Sequence, residues 1–175
     1  LPMPEIVAAT LDPILASTEG DPEIQDLIRA SAGLNLALDY LPGAVTFDPA
    51  VDVVDGELAS RIVWLDAFLS NVDRTARNAN MLMWHRKLWL IDHGAALYFH
   101  HGWDGRDADP ASRFPLIRDH VLLPYADRID AVDADCAARL GDDALHDILM
   151  QLPNEWLGGE GLLADPDAHR QAYLD

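Results

Sequence analysis

Two aspartates and two asparagines in the middle of the sequence are residue types that could carry out phosphoryl transfer. Asp73 and Asn78 are five positions apart, Asn80 follows, and Asp92 lies two positions before Gly94. In that reaction one carboxylate orients the attacking hydroxyl and can accept its proton. A second carboxylate and an amide oxygen hold Mg²⁺ against the phosphates. The segment from Asp73 to Gly94 therefore predicts a catalytic loop and a metal-binding loop.

A helix, a loop and a hairpin must position these residues. An apolar stripe recurs at helical spacing and consists of Leu58, Ile62, Leu65 and Leu69. It predicts a helix over about 55–69. The polar stretch 70–80 is rich in turn-forming residues and is expected to be a loop. Two short β-like runs, 81–84 and 87–92, are joined by two polar residues, which is a hairpin pattern.

The remaining segments predict strands early in the chain and helices late. A β-like run lies within 4–15, a helix is expected over 21–31, and the alternation in 33–44 indicates a strand that ends at Pro42-Gly43. Further helices are expected over about 113–123, 132–140, 142–151 and 166–174. This distribution predicts an α+β domain.

The composition narrows the classes of partner. Twelve Lys and Arg against 30 Asp and Glu give a net charge of −18, so the chain repels nucleic acid and anionic membranes. A nucleotide would have to arrive with divalent cations. The apolar runs are too short to span a bilayer. The single cysteine, Cys136, allows no internal disulfide and fits a cytoplasmic location.

Singly, these Asp and Asn residues are ordinary turn formers, but their order resembles that of kinases. The segment VDRTARNANMLMWHRKLWLIDHGAALYF looks like the catalytic core of the HipA-like kinases. It is also similar to phosphoinositide-type lipid kinases, which share the Asp-Arg start, a nearby Asn and the Ile-Asp-x-Gly end. GLNLALDYLPG resembles the strand and hinge between the lobes. The resemblance covers about residues 1–103 and is most specific over 71–99.

The resemblance implies a role for each loop residue. Asp73 matches the catalytic Asp, and Arg74 matches the Arg after it, which contacts phosphate or braces the loop. Asp92 matches the metal-binding Asp, with His93 in place of the usual Phe.

The second metal ligand is open between two asparagines. Asn78 has the expected spacing from the catalytic Asp, and Asn80 has the expected position before the apolar strand. We prefer Asn78, because its spacing from the catalytic Asp fixes the geometry of the two side chains relative to each other. The adenine edge of a nucleotide would be lined by backbone groups of Leu38, Asp39, Tyr40 and Leu41.

The implied protein is an ATP- and Mg²⁺-dependent kinase, a transferase acting on a protein Ser/Thr hydroxyl or on a small hydroxyl substrate. Its fold would be protein-kinase-like and α+β, with a mostly helical C-lobe that carries the catalytic-loop hairpin in 45–175. Residues 1–44 would be a remnant of the N-lobe strands and hinge. No Gly-rich segment precedes the hinge and the single Lys is Lys87, so the N-lobe would be largely missing. We therefore expect a fragment that is inactive alone.

Two alternatives accompany this hypothesis. The lost phosphate-anchoring parts are also typical of a non-catalytic kinase-fold module that binds a nucleotide or a partner. A metal-dependent phosphoesterase would instead use Asp73 and Asp92 with nearby histidines, which are His93, His100 and His101.

Overall fold

The chain forms two compact units, each a mixture of helix and strand. The computed structural model describes residues 1–102, 112–158 and 161–174. The first unit is Met3–Gly43, and the second is Leu1–Pro2 together with Ala44–Asp175. The predicted α+β class is confirmed. The assignment of residues 1–44 and 45–175 to kinase lobes stays a prediction.

The first unit contains a two-stranded antiparallel sheet. Strand β1 (Ile6–Leu11) pairs with β2 (Gly33–Leu38), so that Ile6 lies opposite Leu38 and Leu11 opposite Gly33. Both predicted strands are therefore confirmed. The first predicted run ends at Asp12-Pro13 because proline cannot donate to a ladder hydrogen bond.

Two helices connect these strands, a 3₁₀ helix (Pro13–Thr18) and α1 (Pro22–Ala30). Asp21 caps α1 by accepting a hydrogen bond from the Glu23 N–H at 2.9 Å. The predicted helix over 21–31 is thus confirmed. Its apolar face is largely exposed, however, with Leu27 at 66% of full exposure.

Helix α2 (Gly56–Phe68) leads to the candidate loops in the second unit. Asp55 caps it by accepting from the Glu57 N–H at 3.0 Å and the Leu58 N–H at 3.1 Å. The buried face of the helix is rotated from the predicted stripe, of which Ile62 alone is fully buried. The buried residues of α2 are Ala59, Ser60, Ile62, Val63 and Asp66.

The predicted hairpin follows the polar loop. Strands β4 (Met81–Trp84) and β5 (Lys87–Leu90) are antiparallel, and a short β3 (Val45–Thr46) pairs with the other edge of β4. The two turn residues have left-handed φ angles, 49° at His85 and 62° at Arg86, as a two-residue type I′ turn requires. At the opposite end of the hairpin, Met81 pairs with Leu90, and both side chains are buried. This end therefore anchors the loops before β4 and after β5 in the core.

Three further α-helices confirm the sequence pattern: α3 (Ile129–Arg139), α4 (Asp142–Met150) and α5 (Pro166–Leu174). Helix α3 packs against α2. Short 3₁₀ helices also occur at Tyr98–Gly102, Asn154–Trp156 and Gly161–Ala164. Within the described ranges, no helix has both the length and the apolar character needed to cross a membrane.

The predicted helix over 113–123 is confirmed only in part, because the segment is not one continuous helix. This segment holds two 3₁₀ helices, Pro115–Asp119 and Leu123–Tyr125, with extended backbone at His120 between them. His120 is extended because it forms an antiparallel bridge with Thr75 of the polar loop. This pairing between distant segments therefore interrupts the continuous helix that local sequence propensity favoured.

Candidate active site

The loop between α2 and β4 is closed by a tight turn. Thr75 and Asn78 exchange backbone hydrogen bonds, with N···O distances of 2.9 Å from the Thr75 N–H and 3.2 Å from the Asn78 N–H. This turn brings Nδ2 of Asn78 to 2.7 Å from Oδ2 of Asp73, to which it donates. The five-residue spacing in the sequence thus becomes a direct side-chain contact.

Asn80 makes a second contact with the same carboxylate oxygen. Its Nδ2 donates to Oδ2 of Asp73 at 3.1 Å. The side chains differ in accessibility, because Asn78 is exposed whereas Asn80 is buried. Both candidate ligands therefore lie beside Asp73, and Asn78 is the one open to solvent.

Two backbone hydrogen bonds tie this loop to the segment around Asp92. The Ile91 N–H donates to the Asn80 carbonyl at 3.0 Å, and the Val72 N–H donates to the Ala95 carbonyl at 3.4 Å. Asp92 itself is exposed, and its Oδ1 accepts from the Gly94 N–H at 3.3 Å. The predicted catalytic and metal-binding loops therefore run side by side.

A buried carboxylate, Asp66 of α2, lies beneath the loop and accepts three side-chain hydrogen bonds. Its Oδ2 accepts from Nε of Arg74 at 2.6 Å and is 2.9 Å from Nε2 of His120. Its Oδ1 accepts from Nδ2 of Asn71 at 2.9 Å. We call these four residues the Asp66 cluster. All four are at most 5% exposed, so the loop is built on a polar core rather than on an apolar one.

The tautomer of His120 follows from its partners. Its Nδ1 accepts a hydrogen bond from the backbone N–H of Leu122 at 3.0 Å, so this nitrogen carries no proton. The ring proton is therefore on Nε2 and is donated to Asp66. His120 thus acts as a neutral donor to the carboxylate.

Arg74 braces the loop. Its side chain is fully buried, and besides the ion pair with Asp66 its Nη1 donates to the carbonyl oxygen of Asn80. Its Nη2 is buried and has no hydrogen-bond partner within the described residues. Of the two roles that the resemblance implied, bracing is the one these contacts support, because the guanidinium faces the interior.

Burial and charge perturb two titratable groups near the loops. Burial acts to raise the pKa of Asp66, but the hydrogen bond from His120 and the charge and hydrogen bond of Arg74 outweigh it and hold this pKa below its usual value. Burial, with the nearby Arg74 charge, lowers the pKa of His93 despite Asp66 and Asp92. At neutral pH, Asp66 is therefore an anion and His93 is neutral.

The predicted adenine-edge residues belong to the first unit. Leu38 ends β2, and the Asp39 N–H already donates to the Glu5 carbonyl at 2.9 Å. Tyr40 is 79% exposed, whereas Leu41 is buried.

The phosphoesterase alternative would place metal ligands among the histidines near Asp92. No group of three or more His, Cys, Asp or Glu side chains is placed to hold a metal in the part of the chain that is described. The ring of His100 instead stacks with His169 and Tyr173. The side chain of His101 lies outside the described residues.

Basic residues able to meet a phosphate are scarce around the loops. Lys87 begins β5 at the turn end of the hairpin, about 10 Å of extended chain from Leu90, which ends the strand beside the loops. Arg29 is engaged on α1 by Asp26 and Gln25. Arg77, in contrast, is exposed on the Asp73 loop, and its guanidinium makes no hydrogen bond or ion pair with any described residue.

Sequence reasoning missed four residues of this site: Asp66, Asn71, Arg77 and His120. Asp66 had a detectable signal, because a carboxylate four positions after Ile62 lies on the buried side of an amphipathic helix. Arg77 also had one, as a cation inside the Asp-x4-Asn segment. His120 had none, since its contact with Asp66 spans 54 positions.

Comparison with known proteins found no matching family model, curated protein or solved structure. The resemblance to HipA-like kinases therefore stays a prediction from the residues of the two loops.

Proposed function

We propose that this chain belongs to an ATP- and Mg²⁺-dependent kinase of HipA-like type. One observation carries the proposal: the Asp73 carboxylate is held by the amides of Asn78 and Asn80, in a loop hydrogen-bonded to the segment that bears Asp92. Carboxylate, amide and second carboxylate are the groups that phosphoryl transfer requires. The acceptor we propose is a protein Ser/Thr hydroxyl, and the location is the cytoplasm, where ATP is present.

Asp73 is suited to orient that hydroxyl. Both amide donors bind its Oδ2, and its Oδ1 has no partner within the described residues. The occupied oxygen fixes the plane of the carboxylate, so the other oxygen is presented in one direction. We assign to Oδ1 the acceptance of the hydrogen bond, and then of the proton, from the attacking hydroxyl.

The donor atoms around Asp73 fit a hard cation. Asp92 offers carboxylate oxygens and Asn78 an amide oxygen, both on exposed side chains. All-oxygen ligands of this kind suit Mg²⁺, which keeps several waters and binds substrate phosphates directly. When bound, the ion would neutralise charge on the transferring phosphoryl group. We prefer Asn78 to Asn80 because the Asn80 side chain is buried.

Arg77 is the residue we assign to phosphate contact. It is an exposed cation between Asp73 and Asn78, and no described residue neutralises it. In a chain of net charge −18, such an arginine is the local attraction for an anionic ligand. It would supply charge that Lys87, at the far end of the hairpin, is too distant to provide.

Because we expect this chain to be inactive alone, the test is phosphate transfer by the full-length protein from radiolabelled ATP with Mg²⁺, measured on the protein itself and on Ser- and Thr-containing peptides. Asp73→Asn and Asp92→Asn should each lower transfer at least 100-fold, because each removes a charge that the reaction uses. Asp147→Asn is the control, since Asp147 is an exposed carboxylate on α4. Transfer that survives both loop substitutions would refute the proposal.

A second candidate is a non-catalytic module that binds Mg-ATP. The observation that favours it is the position of Lys87 at the turn end of the hairpin, which leaves Arg77 as the one unpaired cation on the Asp73 loop as described. Calorimetry with Mg-ATP separates the two functions. Binding that Asp92→Asn abolishes, without any transfer by the unsubstituted protein, would favour the module.

A further inference from the structure

We infer that Asp66 is a positioning residue that sets the backbone of both the catalytic and the metal-binding loop; its importance for catalysis rests on the proposed function. Asp66 is 1% exposed and cannot itself meet a substrate. Its two carboxylate oxygens begin two separate chains of hydrogen bonds, and each chain ends on the backbone of a loop residue.

The first chain runs through Asn71 to Asp73. Oδ1 of Asp66 accepts from Nδ2 of Asn71 at 2.9 Å, and Oδ1 of Asn71 accepts from the Asp73 N–H at 3.2 Å. Asn71 is buried, and its bond to Asp66 is fully buried, so water does not compete for that bond. This chain fixes the backbone nitrogen of the residue that we assign to the acceptor hydroxyl.

The second chain runs through Arg74 to Asn80. Oδ2 of Asp66 accepts from Nε of Arg74 at 2.6 Å, and Nη1 of Arg74 donates to the Asn80 carbonyl. The same carbonyl accepts the Ile91 N–H at 3.0 Å. This chain therefore reaches the residue directly before Asp92.

The chemistry of the site explains why the residue is an aspartate. Three donors converge on the carboxylate, from Asn71, Arg74 and His120. An asparagine would point its own N–H₂ group at one or two of those donors, and at least one chain would break. A glutamate would move the oxygens by one methylene in a site with no exposed surface.

The experiment measures amide hydrogen exchange by NMR on the whole protein, with Mn²⁺ affinity by electron paramagnetic resonance in parallel. Asn71→Ala interrupts the first chain and should accelerate exchange of the Asp73 amide at least tenfold, with little effect on the Ile91 amide. Arg74→Lys keeps the charge but cannot span from Asp66 to Asn80, because lysine lacks the planar fork. It should accelerate the Ile91 amide and spare the Asp73 amide.

Asp66→Asn should accelerate the Asp73 amide, the Ile91 amide or both by more than it accelerates the Ile62 and Val63 amides of α2, which report the general loss of stability. It should also weaken Mn²⁺ binding at least tenfold. Asp135→Asn is the matched control, since Asp135 likewise accepts arginine hydrogen bonds, from Arg61 and Arg139, but lies on α3. Unchanged Asp73 and Ile91 exchange in Asp66→Asn would overturn the inference, and so would equal acceleration of the α2 amides. If the unsubstituted protein binds no Mn²⁺ and transfers no phosphate, the proposed function fails, and the exchange data still decide the role of Asp66.

Discussion

Nε2 of His120 lies 2.9 Å from Oδ2 of Asp66, although 54 positions separate the two residues in the chain. The donor comes from the segment between two 3₁₀ helices, and the acceptor comes from α2. Since both side chains are buried, a neutral imidazole and an ionised carboxylate meet without competing water. The loop that bears Asp73 is thus held by contacts between α2, which precedes it in the sequence, and the His120 segment, which follows it.

The first prediction concerns acid stability. The folded-state pKa of Asp66 is lowered, so its contribution to stability is fully present above the unfolded pKa of about 3.9 and is lost as the pH falls through the folded value. We expect Asp66→Asn to flatten the fall in unfolding free energy below about pH 4. Urea titrations at pH 7, 4 and 3 measure this. A parallel fall in the substituted and unsubstituted proteins would show that Asp66 does not titrate differently on folding.

The second prediction is the cost of the same substitution at neutral pH. Asp66→Asn leaves the Arg74 charge buried without its counter-ion. Breaking a buried pair from one side costs about 3–5 kcal/mol of unfolding free energy. Urea unfolding at pH 7 provides the value. The control is Asp26→Asn, which removes an exposed ion pair with Arg29 and should cost less than about 1 kcal/mol.

The third prediction concerns His93, whose Nε2 is buried without a partner in the described parts of the chain. Phenylalanine has a similar shape and no polar atom to leave unsatisfied. We expect His93→Phe to keep stability or to raise it by about 1 kcal/mol, as measured by urea unfolding at pH 7. His146→Phe, at an exposed position on α4, should give no such gain. A clear loss in His93→Phe would indicate that a buried water serves that nitrogen.

The fourth prediction concerns the hairpin turn. His85 and Arg86 adopt left-handed φ angles that Asn and Gly accept more readily. The double substitution His85→Asn with Arg86→Gly should raise the unfolding free energy by about 0.5–1 kcal/mol. Lys87→Gly is the opposite control, because glycine within β5 should destabilise the strand. Equal effects of the two changes would argue against this turn geometry.

The fifth prediction rests on the proposed kinase activity. Arg77→Gln removes the exposed cation next to Asn78 and should raise the KM for ATP about tenfold, equivalent to about 1.4 kcal/mol. Stability should not change, since Arg77 has no ion pair among the described residues. Steady-state kinetics of the full-length protein measure the effect. Arg118→Gln, at another exposed arginine, is the control, and an unchanged KM would remove Arg77 from phosphate contact.

Local sequence patterns predicted where the helices and strands of this fold lie, but not which of their faces are buried. The hairpin over β4 and β5 follows from short β-like runs around a turn, and α1 follows from Asp21 and its cap. The apolar residues of α1 share one face of the helix, yet Leu27 on that face is exposed. Periodicity identifies an amphipathic helix but carries no information on what covers its apolar face.

In the candidate site, likewise, a contact within a short segment could be predicted, whereas contacts between distant segments could not. The spacing of Asp73 and Asn78 predicted their proximity because a tight turn spans the intervening residues. The burial of Asp66 depends on donors that come from other segments, above all from His120. Such contacts are set by tertiary packing, so no window of the sequence could reveal them.

The backbone at two of the candidate ligands has a consequence for how such sites change over time. Asn80 and Asp92 have φ angles of 48° and 47°, a left-handed conformation that Asn, Asp and Gly tolerate and β-branched residues resist. The shape of the chain alone therefore favours an amide or a carboxylate at both positions. A descendant that had abandoned phosphoryl transfer would still tend to retain Asn and Asp there. Loss of function in such a lineage should be seen first at Asp73, Arg77 and Asn78, none of which has a positive φ.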